Sequence, residues 1–188
     1  MNNPDLIARA CQGDASAWET LVRQHQQAVF RLAYLMLGDG DEAEDMAQEV
    51  FIRAFHALTR FDATRPLRPW LLRITTNLVN NRRRSVGRYL TAVRRWFHAA
   101  SDDNLAVVEE RSQQQWESET LWQAIRRLSQ VDQEVIYLRY FLELSVAETG
   151  EVLGVAAGTV KSRLARATGR LQAVIAREFP ALQEARES

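Results

Sequence analysis

A chain of 188 residues, 46% of them hydrophobic, can bury a real core as one domain or as two small ones. No apolar run approaches the roughly 20 residues that cross a bilayer, and MNNPDLIARA lacks the basic-then-apolar order of a secretory leader, so the expected location is the cytoplasm. A single cysteine, Cys11, excludes an internal disulfide, and 24 basic residues cancel 24 acidic ones.

The cancellation hides blocks of one sign. Residues 82–100 hold six arginines and no carboxylate, whereas residues 101–120 hold one arginine and six carboxylates. Such blocks repel internally and supply few core side chains, which marks solvated segments or interaction surfaces.

Glycine and proline are few, and apolar residues recur at helical spacing, so the expected fold is all-α with no strand. Leu6, Ile7, Ala10 and Cys11 share one stripe, where a small buried thiol fits. Asp14 can cap a helix whose stripe is Trp18, Leu21, Val22, His25, Val29, Leu32 and Met36, and Gly38-Asp39-Gly40 stops it. Asp41 can cap the next helix, with Ala43, Met46, Ala47, Val50, Phe51, Ala54, Phe55 and Leu58 as its buried face. Phe61 to Pro69 is expected to be a loop, since Pro66 and Pro69 disfavour helix in the residues before them. Pro69 suits the first turn of a helix that packs Trp70, Leu71, Ile74 and Leu78 and runs out into Arg82-Arg83-Arg84.

From Ser85 to Glu117 the periodicity weakens and the charge blocks dominate, as in a flexible charged linker between two helical domains. Trp96 and Phe97 stand out there, either docking the linker or ending a helix continued from the first domain. The resulting division is 1–84, a linker over 85–118, and 119–188. In the last of these, periodicity returns with Leu121, Trp122, Ile125 and Leu128, then Val135, Ile136, Leu138 and Phe141.

Two short units joined by Gly154 follow. Ser145 can cap a helix ending at Leu153, with Glu148 three residues on completing a capping box, and Gly154 supplies a left-handed turn. Val160, Leu164, Ala167, Leu171 and Val174 then form one stripe, leaving Lys161, Ser162, Ala165 and Arg166 on the opposite, wet face. Small residues let such a helix sink into a major groove, Arg166 can reach a guanine edge with two hydrogen bonds, and Lys161, Arg163 and Thr159 can take phosphates. A solvated surface helix carries the same stripe. The short capped helix, glycine turn and basic second helix together favour a DNA-reading helix-turn-helix.

The residues LSVAETGEVLGVAAGTVKSRLARA, with Gly158 to Leu164 as the tightest match, resemble the second helix-turn-helix domain of extracytoplasmic-function bacterial sigma factors. Ala43-Glu44-Asp45 and Gln48-Glu49-Val50-Phe51 resemble the segment with which these factors grip the polymerase clamp, and Trp70-Leu71 with Ile74 and Asn77 resembles their promoter-melting helix. The resemblance implies that Glu44, Asp45, Gln48 and Glu49 meet core RNA polymerase. It assigns the loop from Phe61 through Arg65 and Leu67 to Arg68, with Asn77, to a flipped base of the melted -10 strand, and Arg73, Asn81 and Arg82 to its backbone. Thr159, Lys161, Ser162, Arg163, Ala165 and Arg166 would read the -35 element as double-stranded DNA. It also implies stress-responsive transcription initiation, an anti-sigma partner, no enzymatic activity, no cofactor or metal and no membrane insertion.

Other readings of the same residues stand beside these. The acidic residues that crowd one helix start also suit its dipole, Trp70 suits a core, and Arg82 to Arg84 suit a solvated helix end. Asp102-Asp103 and Glu109-Glu110 could imitate nucleic acid or simply lie in a tether. Thr149-Gly150 stands where isoleucine and alanine are usual, which predicts looser packing of the first helix of the motif. Asn81 replaces an aspartate, Leu67 a phenylalanine and Thr168 an arginine, and Ser129-Gln130 lacks a proline. An ordinary dimeric helix-turn-helix regulator would leave the Glu44 to Glu49 face unexplained. A helical metalloenzyme would need ligand pairs that His25, His56 and His98 do not form.

Overall fold

The computed structural model describes residues 4–96, 113–180 and 182, with side chains described outside 86–96 and 113–118. Among the described residues, eight α-helices succeed one another: α1 Pro4–Cys11, α2 Ala15–Leu37, α3 Gly40–Ala57, α4 Leu67–Trp96, α5 Gln113–Arg126, α6 Gln130–Ile136, α7 Val146–Leu153 and α8 Ala157–Glu178. A 3₁₀ turn, Leu58–Arg60, follows α3, and a π turn over Tyr137–Phe141 extends α6. Phe97, His98, Asp102, Asp103, Glu109 and Glu110 lie outside the described residues.

Helices α1 to α4 form the first unit. Asp14 caps α2 by accepting from the Ser16 and Ala17 amides, and Gly38 closes the helix in the left-handed region at φ 82°. Helix α3 is capped by Asp39, which accepts from the Glu42 amide; Asp41 is already inside the helix, which corrects the expected cap. The buried line of α3 is Ala43, Met46, Val50 and Ala54. Phe55 lies one residue further round and is 48% exposed, so it is not part of the core face to which its spacing assigned it. Helix α4 buries Leu67, Leu71, Leu72, Thr75, Thr76, Leu78 and Val79, and both threonine hydroxyls donate to the carbonyl four residues back. It continues to Trp96, so the first part of the expected linker is helix.

The second unit gathers α5 to α8 around Ile125, Leu128, Val135, Leu138, Leu144, Val152, Val160 and Ala167. Trp122, Tyr137 and Phe141 meet in one aromatic cluster, with ring centroids 5.2–6.0 Å apart. Buried Asp132 ties α6 to α8, accepting from Ser129 Oγ at 2.8 Å and from Arg170 Nη1 at 2.7 Å. Ser129 is thus the N-cap of α6, in place of the missing proline.

Thr149 and Gly150, expected to loosen α7, are fully packed. The Thr149 hydroxyl donates to Ser145 O at 2.8 Å, and a Cβ on Gly150 would fall 2.7 Å from the Val155 carbonyl oxygen. Glycine here allows the turn to cross close over α7, tightening the junction. Gly150→Ala is accordingly expected to lower stability by about 1–3 kcal/mol through overpacking, although alanine is the better helix former by about 1 kcal/mol. Urea denaturation decides the sign; a rise in midpoint would mean that the Val155 carbonyl moves aside at no cost.

Candidate promoter and polymerase surfaces

The helix-turn-helix is built as its local sequence requires. Ser145 accepts from the Glu148 amide, the Glu148 carboxylate accepts from the Ser145 amide at 2.8 Å, and Gly154 turns the chain at φ 67°. Val160 and Ala167 anchor α8 in the core, which leaves Lys161, Ser162, Ala165 and Arg166 exposed on one face, with Thr159 and Arg163 half-buried at its edge. Ser162 Oγ donates to Thr159 O and Arg166 Nε to Ser162 O, both at 3.1 Å, so the free helix satisfies these donors on its own backbone. All six residues singled out from sequence therefore sit on one helix, four of them facing solvent.

On α3, Glu44, Asp45 and Gln48 are exposed, and Glu49 pairs with Arg53 at 2.6 Å. The row does not end with charge. Ile52 at 54% and Phe55 at 48% exposure continue it, and Phe55 sits edge-on to Trp18 with centroids 5.3 Å apart. Sequence reasoning missed these two. Their signal was the same three-or-four-residue spacing that links Asp45, Gln48, Glu49 and Ile52.

The third surface is the 61–66 loop and the outer side of α4. Asp62 accepts from the Thr64 amide and hydroxyl, which holds its carboxyl below the usual range and curls the loop. Phe61 stacks at a tilt on Trp70, centroids 4.8 Å apart, so half-buried Trp70 contributes to both core and surface. These rings, with Arg60, Asp62, Arg65, Pro66, Pro69, Arg73 and Glu151, line a cleft of about 170 Å³. Arg73, Asn77 and Asn81 form an exposed row at four-residue spacing, and Arg82 pairs with Glu42 at 3.1 Å. Leu67 leaves the set of DNA-facing side chains: it is 3% exposed and packs in the core, because the helix begins at that residue.

Among the described residues, no group of three His, Cys, Asp or Glu is arranged to hold a metal ion, and no helix is long and apolar enough to cross a membrane.

The comparisons bear on both units. Residues 21–89 match the family described as Sigma-70 region 2, and residues 118–171 match Sigma-70, region 4. The chain is 36% identical over 172 residues to the ECF RNA polymerase sigma factor SigW of Bacillus subtilis (strain 168), covering 85% of this chain and 89% of that protein. It is 33% identical over 172 residues to the RNA polymerase sigma factor NccH of Alcaligenes xylosoxydans xylosoxydans, covering 90% and 92%. In fold it is similar to CnrH, solved in complex with the cytosolic domain of CnrY, at TM-score 0.71 and 26% identity, covering 95% of this chain and 99% of that one. The chain belongs to the ECF RNA polymerase sigma factors, DNA-binding transcription initiation factors that act with RNA polymerase.

Hydrogen bonds from Ser145, side chain first and backbone second, hold the Glu148 carboxyl below the usual carboxylate range. A lowered carboxylate contributes stability that is complete above its unfolded pKa and is lost as pH falls through its folded one. The helix-turn-helix should therefore weaken progressively below about pH 4, and Glu148→Gln should flatten that acid limb. Urea midpoints taken down the pH scale test this, and an unchanged limb in the variant would assign the acid sensitivity to other groups.

Proposed function

We propose that residues 1–84 bind core polymerase and recognise and melt the -10 element, that 85–118 link the two units, and that 119–188 read the -35 element. What supports this reading is that one chain carries, on separate helices, three surfaces of different chemistry: a wet basic helix with small residues, an acidic row ending in exposed apolar side chains, and an aromatic cleft rimmed with arginines.

Arg166 reads a base edge in the -35 major groove, while Lys161, Arg163 and Thr159 hold phosphates and Ser162 and Ala165 permit close approach. Glu44, Asp45, Gln48 and Glu49 face a basic polymerase surface, and Ile52 and Phe55 add the apolar contact that gives such a charged patch its affinity. Phe61 and Trp70 offer a stacking platform for an unpaired base, worth about 1–3 kcal/mol per base. Asn77 joins the loop in holding that base, Arg65, Arg68 and Arg73 neutralise the strand around it, and Asn81 and Arg82 extend the track. The chain works in the cytoplasm, without catalysis of its own, and an anti-sigma protein holds it inactive; the likeness to CnrH, which was solved with a bound protein domain, supports such a partner. A dimeric regulator independent of polymerase is disfavoured by the sigma family to which both units belong.

Run-off transcription with core polymerase on a promoter library tests the assignments. Arg166→Ala should lose about five- to a hundredfold on promoters that depend on the upstream element, the effect of one base contact worth about 1–3 kcal/mol, and Asn77→Ala should lose melting while retaining upstream binding. Asp45→Lys should weaken the complex with core polymerase without moving the urea midpoint. Unchanged promoter preference in the first two variants would remove the proposed base contacts. Recovery of the native protein only free or bound to polymerase would count against the anti-sigma partner.

A further inference from the structure

Of the 24 basic side chains, 23 are arginines and one is a lysine, Lys161. It stands on the exposed face of α8, beside Ser162, Ala165 and Arg166. The two kinds of cation differ in chemistry. A guanidinium stays protonated and does not react with acyl donors at neutral pH, whereas a lysine amine can attack an activated carbonyl and become an uncharged amide. Lys161 is therefore the one basic side chain of the 188 residues whose charge acyl transfer can remove.

The surroundings leave the amine open. One turn away on either side stand Ala157, Gly158, Leu164 and Ala165, none with a carboxylate to hold the ammonium. Ala157, Gly158 and Ala165 are exposed, and a Cβ placed on Gly158 would meet no atom within 4 Å. The polar side chains beside it turn to their own helix, Ser162 Oγ donating to Thr159 O and Arg166 Nε to Ser162 O. By contrast, Arg170 and Arg177 of the same helix are held by Asp132 and Glu178.

We propose that Lys161 is an acylation site, and that one acyl group transferred there from an acyl phosphate disables the -35 face. The neutral Nζ attacks the acyl carbonyl carbon. An N–C bond forms as the C–O bond to phosphate breaks, inorganic phosphate leaves, and the proton of the amine passes to water, with no change of oxidation state. The anionic donor is drawn to the same cationic face as a DNA phosphate. The amide that remains cannot neutralise a phosphate, and it adds bulk where Ser162 and Ala165 let the helix approach the groove. The inference rests on the assignment of α8 to the -35 element.

The full chain is treated with acetyl phosphate, and its binding to labelled duplex DNA of degenerate sequence, about twenty base pairs long, is followed by anisotropy, since losing a phosphate contact weakens all sequences alike. Peptide mass spectrometry should find acetyl-lysine at Lys161. Binding at low salt is expected to fall about fivefold, and the slope of log affinity against log salt to flatten by about 0.9, the share of one phosphate contact. Lys161→Arg, treated and compared with its own untreated sample, should show neither change, which separates this side chain from the α-amine at the chain start. Lys161 left unmodified, a modified chain that binds like the untreated one, or Lys161 never acylated in protein recovered from its own cells overturns the proposal. The -35 assignment is judged separately, because saturating duplex should shield Lys161 from the reagent. Acetylation at an unchanged rate under duplex would remove that assignment, whatever the affinity of the modified chain.

Discussion

Helix α4 has to bury one stripe while keeping the opposite one wet and cationic. Leu67, Leu71, Leu72, Leu78 and Val79 hold it against α2 and α3, and that burial fixes the direction of Arg68, Arg73, Asn77 and Asn81 to within the freedom of a side chain. The 61–66 loop is positioned from the same helix through Phe61 on Trp70. The cationic stripe then requires oxygen partners. In the free chain α7 and the segment before it provide them, and so the orientation of the whole second unit depends on how α4 is packed.

The two units reach stability by different means. The first relies on long helices with wide apolar stripes and conventional caps. The second is made of short helices that are marginal in isolation and depend on mutual packing. It gains from Thr149 and Gly150 at the close crossing, from the Ser145 and Glu148 capping box, and from Asp132, whose burial is offset by Ser129 and Arg170. Removing Arg170 would leave the Asp132 carboxylate buried without its counter-charge, whereas the exposed Arg170 guanidinium would stay hydrated if Asp132 were lost. Helix α8 is thereby held by its core side, with its outer face free of structural duty.

Sites and core share residues at the edges of each surface. Phe55 has core spacing yet stands exposed beside Trp18, and Trp70 is half core and half cleft. Leu67 moves the other way, from the DNA-facing set into the core. Leu67 moves because α4 begins there, whereas the other two positions share one origin. A helical position about 100° from the centre of the buried stripe can be turned in or out by a small rotation of the helix, and only the neighbouring helices set that rotation. Exposed Ile52 and Phe55 beside an acidic row are what a partner surface looks like before the partner covers it.

The sequence by itself determined the all-α character, the caps at Asp14 and Ser145, the stops at Gly38 and Gly154, and the wet face of α8. Each of these is decided within one or two helical turns. It placed the α3 cap two residues late because Asp39 and Asp41 offer the same chemistry, and only the path of the chain through Gly38 chooses between them. Family resemblance supplied roles for residues whose local pattern admitted several. Tertiary structure alone decided which oxygens meet Arg68, Arg73 and Asn80, partners 74, 78 and 54 residues away, and that Gly150 tightens a junction its helix propensity would weaken. Contacts at such separations leave no period in the sequence, since they are set by how packed surfaces meet and not by the order of residues along either one.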